Sequence, residues 1–319
     1  GFVGSHVVRQ LLNAGHTVTA PVRSLKRASD LAAMGVELYE GDVTDKESLR
    51  PAMAGVDGLF HIAGWYKVGS RDTSMAEKVN VEGTRNVLEM MQELEIPKGV
   101  YTSTLAVFSD THGKMVDESY EFRGAHLSVY DRTKWDAHFK VARHMINHGL
   151  PLVIVLPGLI YGPGDTSTVR TNLVQYLQGK LPMMPARTAF CWSHVEDAAT
   201  AHILAMEKGK PGESYIIAGP KHTFVEAMEL AQKLTGIRAP TIRVSPWMMK
   251  MMAVLMGPVG AVFPLPPTYT SEGLRIVAGV TYIGDNSKAA RELGYTPRPL
   301  ISGLRETLDH ELKLIEEER

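Results

Sequence analysis

Tyr130 and Lys134 stand four residues apart in YDRTK, a spacing that puts both side chains on one face of a helix. A free tyrosine ionises near pH ~10 and is a poor acid–base group at neutral pH. An ammonium one helical turn away stabilises the phenolate and brings it toward working range. As a bare pattern the spacing is common, and surface pairing accounts for most instances. Its position gives it more weight. One loop upstream, YTSTLAVF ends a strand-like run on the hydroxyls of Thr102, Ser103 and Thr104. Hydroxyls at the carboxyl end of a parallel strand lie where open α/β sheets bind ligands.

A second constellation opens the chain. Gly1-Phe2-Val3-Gly4 precedes a helical pattern with the spacing of a dinucleotide-binding glycine turn, whose helix offers free N–H groups to a pyrophosphate. No strand precedes it, and a doubly wound sheet needs one there. The expectation is therefore that the natural gene encodes roughly ten further residues upstream, one strand and its turn. The next strand-like run, TVTAPVR, ends on Arg23, with Lys26 and Arg27 close behind. An arginine at that point accommodates the 2′-phosphate of NADP, where an acidic residue would bind the ribose hydroxyls of NAD. NADP(H) is the expected cofactor and NAD(H) the alternative. Asp42 and Val43, in GDVTD at the end of the third strand, are placed to meet the adenine.

The elements that must position these residues read as alternating helices and strands. Helices are expected over 3–12, 25–34, 46–54, 75–94 and 130–147, and strands over 17–22, 37–39, 58–62, 99–104 and 152–157. That alternation predicts a parallel, doubly wound (Rossmann) sheet. The run LVIVLP has no polar residue, which suits a strand covered on both faces. After Pro157 glycine and proline become dense and the rhythm breaks. The expected division is a dinucleotide-binding domain over 1–157, with 190–206 returning to it, and a smaller substrate lobe from 158–189 and 207–319.

Composition narrows the classes. With 44% hydrophobic and 22% charged residues the chain reads as an ordinary globular protein, and a net charge of −1 supplies no global pull toward nucleic acid. The single cysteine, Cys191, excludes an internal disulfide and a multi-thiolate metal site and fits a reducing compartment, so the expected location is the cytoplasm, with no metal. The segment from Trp247 to Phe263 is the most apolar, but Lys250 and Gly257–Pro258 interrupt it. It falls short of a span and reads as a Met-rich packing helix near a binding site, with a weak membrane-surface contact as the alternative.

The motifs taken in order resemble the extended short-chain dehydrogenase/reductases of the NAD-dependent epimerase/dehydratase superfamily. They are GFVG, HIAG at His61–Gly64, NVEGT from Asn80, STLAVF from Ser103, YDRTK, PGLIYGPGD from Pro157, SHVEDAA from Ser193 and DNSKAARELGYTPR near the end. The resemblance implies that Tyr130 donates or accepts the proton and that Lys134 binds the nicotinamide ribose and tunes Tyr130. It makes Thr104 the hydroxyl that holds the substrate oxygen, with Ser103 as runner-up. His61, Ala63 and Gly64 would line the cofactor, although the His61 ring reads equally well as a core side chain; Pro157 and Ile160 would lie near the nicotinamide. It also implies a homodimer.

Members acting on nucleotide sugars carry Arg-Pro-x-Asn where this chain has Leu156-Pro157-Gly158-Leu159, and an Arg-Asp-aromatic run where it has Phe190-Cys191-Trp192. Without those arginines a diphosphate loses its bidentate bonds, though Arg187 could supply one contact. Tyr66, Phe190 and Trp192 suggest an apolar or aromatic pocket wall instead. The better resemblance is to the dihydroflavonol-reductase and 3β-hydroxysteroid-dehydrogenase-like branch. The expected reaction is hydride transfer between NADP(H) and a ketone, aldehyde or secondary alcohol. The alternatives are a nucleotide-sugar epimerase or dehydratase with retained NAD and a non-catalytic NADP sensor.

Overall fold

A computed structural model describes residues 1–318. Its main sheet is built on β1 (Thr19–Val22), β2 (Glu37–Glu40), β3 (Leu59–His61), β4 (Gly99–Thr102) and β5 (Leu152–Pro157). The smaller sheets use β6 (Leu159–Tyr161), β7 (Met184–Pro185), β8 (Ala189–His194), β9 (Ser214–Ile217), β10 (Lys221–Thr223), β11 (Arg243–Val244) and β12 (Thr281–Tyr282), except that β9 returns to the main one. The order β3-β4-β5-β9 is parallel throughout.

All six residues of β5 are buried, and the period-2 alternation of a strand divides them between two cores. Leu152, Ile154 and Leu156 pack with Leu88, Met91 and Val141 on one face. Val153 and Val155 pack with Ala201, Ala205 and Leu293 on the other. Each side chain so enclosed contributes about 1.5–3 kcal/mol. This is the doubly wound Rossmann arrangement the alternating pattern predicts, with a C-terminal lobe.

The parallel sheet is in two pieces, because β1 pairs only with β2 and β3 only with β4 among the described residues. The helix Phe2–Asn13 is anchored instead on the helix Val195–Lys208, through His6 Nδ1 on the Glu196 carboxylate (2.5 Å) and Gln10 Nε2 on the same carboxylate (2.8 Å).

Two helical runs flank the site, residues 74–93 and 129–147, and each contains a π-helical stretch, Lys78–Glu82 and Asp136–Ala142. Such widened turns displace side chains from their regular helical positions and recur near functional sites. Asn80, in the first stretch, donates to Thr133 Oγ1 (2.9 Å) on the second helix and to the Trp65 carbonyl (3.0 Å).

β8, expected to return to the first domain, lies in the second lobe's sheet, with β10 antiparallel and β12 and β6 parallel to it. What returns is the helix Val195–Lys208 together with β9, which completes the main sheet beside β5. The irregular Gly/Pro spacing after Pro157 conceals β9, whose SYII is too short to signal a parallel partner 60 residues earlier. The second lobe closes on its own core of Tyr161, Tyr176, Trp192, Met228 and Leu304.

Candidate active site

β4 ends at Thr102, and the chain turns through Ser103 and Thr104 into the short helix Leu105–Phe108. Ser103 N donates to the Val155 carbonyl at 2.8 Å, which carries the β4–β5 register one residue past the strand. Thr104 caps the short helix by accepting from Ala106 N (3.2 Å), and its hydroxyl lies near Tyr130 and lowers the tyrosine's pKa. The helix bearing Tyr130 starts at Val129. Its Ser128 cap accepts from Asp131 N (3.0 Å) and donates to Asp131 Oδ1 (2.7 Å). Glu272, from the second lobe, accepts from Val129 N (2.6 Å) and from Gly69 N (2.8 Å).

One turn further, Lys134 is buried, and its ammonium donates to the Thr102 carbonyl (2.8 Å) and to the Tyr101 hydroxyl (3.2 Å). Burial pushes Lys134 down to about 7. Tyr130 stays partly open to the cleft, yet burial pushes it up to about 12, against the lowering effect of Thr104 and with Asp131 raising it further. The lowered tyrosine pKa expected from i,i+4 pairing is therefore not a property of the unliganded protein. The surroundings that desolvate the phenolate also discharge the lysine meant to stabilise it.

The other hydroxyls at the strand end rest on neutral histidines. His202, pushed to about 4 by burial, bonds the Ala198 carbonyl through Nδ1 (2.6 Å), which leaves Nε2 to accept from Thr102 Oγ1 (2.8 Å). Ser103 Oγ pairs with His138 Nδ1 at 2.8 Å, and His138 is pushed to about 3, mainly by burial. Ser103 thus faces the core partner, whereas Thr104 faces Tyr130. His61 is likewise a core side chain, bonded to Thr84 Oγ1 (2.9 Å), stacked on Tyr101 (5.3 Å between ring centroids) and pushed to about 3 by burial and then by Lys134. Ala63 and Gly64 behind it are exposed toward the cleft.

Of the residues expected to hold a dinucleotide, those of the first helical turn are open to approach. The helix Phe2–Asn13 has Gly1 as its N-cap with no side-chain bond closing it, and Gly1 and Gly4 have no atom within 4 Å of where a Cβ would stand. Free N–H donors with open approach fit a phosphate. Phe2 and Val3 are half-buried in that first turn, and Arg23 and Lys26 are exposed just past β1. Asp42 accepts from the Thr44 amide and hydroxyl (both 2.9 Å), so its carboxylate shapes its own turn, while Val43 lies against Gly83. Pro157 is buried at the end of β5 and Ile160 half-buried just beyond.

On the second lobe, Phe190 stacks on Tyr282 (5.9 Å, 4° between planes), whose hydroxyl points to Asp131 Oδ2 (3.4 Å). Tyr66 is 52% exposed and bonds Thr166 Oγ1 (3.1 Å) across the cleft. Trp192, expected on the pocket wall, is a core side chain. It is 1% exposed, packs edge-on to Tyr161 and donates Nε1 to the His222 carbonyl (3.2 Å). Alternation along β8 sends Phe190 and Trp192 to the same face, but the β10 and β6 neighbours cover only the latter completely. Sequence reasoning also missed Asp131, which is buried and pushed up to about 7 by burial. Ser128-x-x-Asp131 has capping spacing and was readable; Tyr282 and Glu272, more than 140 residues away, had no local signal.

A parallel doubly wound sheet with a second lobe after it is the frame of the NAD(P)-dependent oxidoreductases. Residues 1–218 match the NAD dependent epimerase/dehydratase family, and the chain belongs to it. It is 32% identical over 302 residues, 92% of this chain and 87% of the relative, to a Synechocystis protein provisionally named dihydroflavonol 4-reductase. It is 30% identical to the 2-alkyl-3-oxoalkanoate reductase of Shewanella oneidensis, covering 81% of this chain and 69% of the relative. Among solved structures, gox2253 superimposes with a TM-score of 0.86 at 30% identity over 98% of this chain and 96% of that one. The UDP-glucose 4-epimerase of Thermotoga maritima shares the fold, with a TM-score of 0.77 at 21% identity over 99% of this chain and 97% of that one.

Proposed function

We propose that the protein reduces a ketone or aldehyde with NADPH, reversibly, with Tyr130 as the acid–base group. The observation that carries this reading is the Lys134 ammonium tied to the Thr102 carbonyl (2.8 Å) at the end of β4, one turn behind Tyr130, with the Thr104 hydroxyl near Tyr130. A carbonyl oxygen between the two hydroxyls takes a hydrogen bond from each. The nicotinamide supplies the hydride when bound. As the alkoxide forms, Tyr130 gives it a proton and Thr104 holds the developing charge. Lys134 regains its full charge beside an anionic ligand and then lowers Tyr130 from its unliganded value toward neutrality.

Exposed Arg23 and Lys26 supply cations for a 2′-phosphate, which favours NADPH over NADH. Phe190, Tyr282 and Tyr66 offer aromatic surface to an apolar substrate. The names of the reductase relatives agree with a carbonyl substrate.

The test is a panel of carbonyl substrates assayed separately with NADPH and NADH. Turnover faster with NADPH supports the reading. Nucleotide-sugar epimerisation, supported only by fold, requires retained cofactor; tightly bound NAD in the purified protein, without carbonyl reduction, would decide for it.

A further inference from the structure

The helix Pro246–Val262 is apolar apart from Lys250, and only its Met249–Ala253 side is buried by the fold. Met249 and Ala253 are buried against Val244, Leu274 and Ala278. On the opposite side Trp247 is 67% exposed, Val254 74% and Val262 72%, with Met251 and Leu255 between them. At 3.6 residues per turn these five positions fall on one stripe about 100° wide, running the length of a rod about 25 Å long. Phe263, 62% exposed, extends it. A continuous apolar stripe facing water marks a contact surface.

The charge around it identifies the partner. From Leu230 to Ser271 the chain contains no aspartate or glutamate and has four cations, Lys233, Arg238, Arg243 and Lys250. Lys233, Arg238 and Arg243 line an open cavity of about 490 Å³ next to the helix's N-terminal end, where Glu229 neutralises Arg243 alone (2.6 Å). Lys250 is exposed on the helix itself. With a whole-chain net charge of −1, this positive field is local. A second copy meeting this face symmetrically would set the same cations against themselves. At its other end the helix is tied to the cleft, because Arg71 donates to the carbonyls of Gly260 and Phe263 and sits in the loop that follows Trp65 and Tyr66.

We propose that this helix lies in the headgroup layer of an anionic lipid bilayer, with the Lys233–Arg238–Arg243 cluster on lipid phosphates, so that the cleft works at the membrane surface. The contact is peripheral: among the described residues no helix is long and apolar enough to cross a membrane. The inference does not depend on which substrate the site reduces.

The test is flotation of the full chain with vesicles of phosphatidylcholine alone and of equimolar phosphatidylcholine and phosphatidylglycerol. The expected result is flotation with the anionic vesicles and at least about tenfold less with the neutral ones. The double variant Val254→Glu/Leu255→Glu, at exposed positions, should lose at least about tenfold in partitioning with an unchanged melting temperature. Lys233→Glu/Arg238→Glu should weaken binding to anionic vesicles without touching the apolar stripe. Failure of the wild type to float with anionic vesicles, or equal flotation with both lipids, overturns the proposal. So does self-association that Val254→Glu abolishes in a protein that does not bind vesicles, which assigns the face to a second copy.

Discussion

The Lys134 ammonium donates to the Thr102 carbonyl at 2.8 Å, fastening the helix that carries Tyr130 to the end of the strand that leads to Thr104. The bond fixes where three side chains meet, from segments more than 25 residues apart.

Replacing Tyr130 by Phe removes the hydroxyl near Thr104 but keeps the ring. Carbonyl reduction should fall about a hundredfold or more, while NADPH titration by fluorescence stays nearly unchanged. Wild-type turnover in Tyr130→Phe would refute the assignment of the acid–base group.

Lys134 titrates near 7 in the folded protein against an ordinary 10.5. Between those values the unfolded chain holds a proton that the native state does not. The stability of the unliganded protein should therefore rise with pH from about 7 to about 10.5. In Lys134→Met this contribution disappears. Urea unfolding at a series of pH values measures it, and parallel curves for the two proteins would rule it out.

Asp131 has the opposite sign. Raised from 3.8 to about 7 by burial, it keeps its proton in the native state over a range where the unfolded chain has lost it. Stability should fall as pH rises from about 4 to about 7, by an amount on the order of a few kcal/mol. Asp131→Asn should flatten that decline and leave the alkaline limb unaltered. Calorimetry across the acid range would expose a decline that persists in the variant.

Arg23→Ser removes a charge from the end of β1. A lost charge-assisted bond to the 2′-phosphate should raise KM for NADPH roughly tenfold and leave KM for NADH nearly as it was. Equal losses for both cofactors would point to a structural role.

Gly158 follows the buried Pro157, and a Cβ on it would stand 2.2 Å from the Cys191 carbonyl oxygen and 3.0 Å from Ser193 Oγ. Because backbone cannot yield as a flexible side chain does, Gly158→Ala should cost roughly 1–3 kcal/mol, read as a lower melting temperature. A variant as stable as the wild type would contradict this packing.

Residue order by itself determined the Rossmann class, five of the six parallel strands of the first lobe to within two residues, the Tyr130–Lys134 spacing and the basic end of β1. These are local signals: alternation of period 2 or 3.6, a glycine turn, a four-residue offset. Contacts between distant segments were decided only in the tertiary structure. It brought β9 into the main sheet, put Trp192 in the core, tied Ser103 to His138, set Thr104 near Tyr130, and delivered Glu272 and Tyr282 to the first turn of the Tyr130 helix. It also reversed the electrostatics of the pair. A sequence states that a lysine lies one turn from a tyrosine, but the water excluded around both is a property of packing, and desolvation outweighs proximity in the unliganded site.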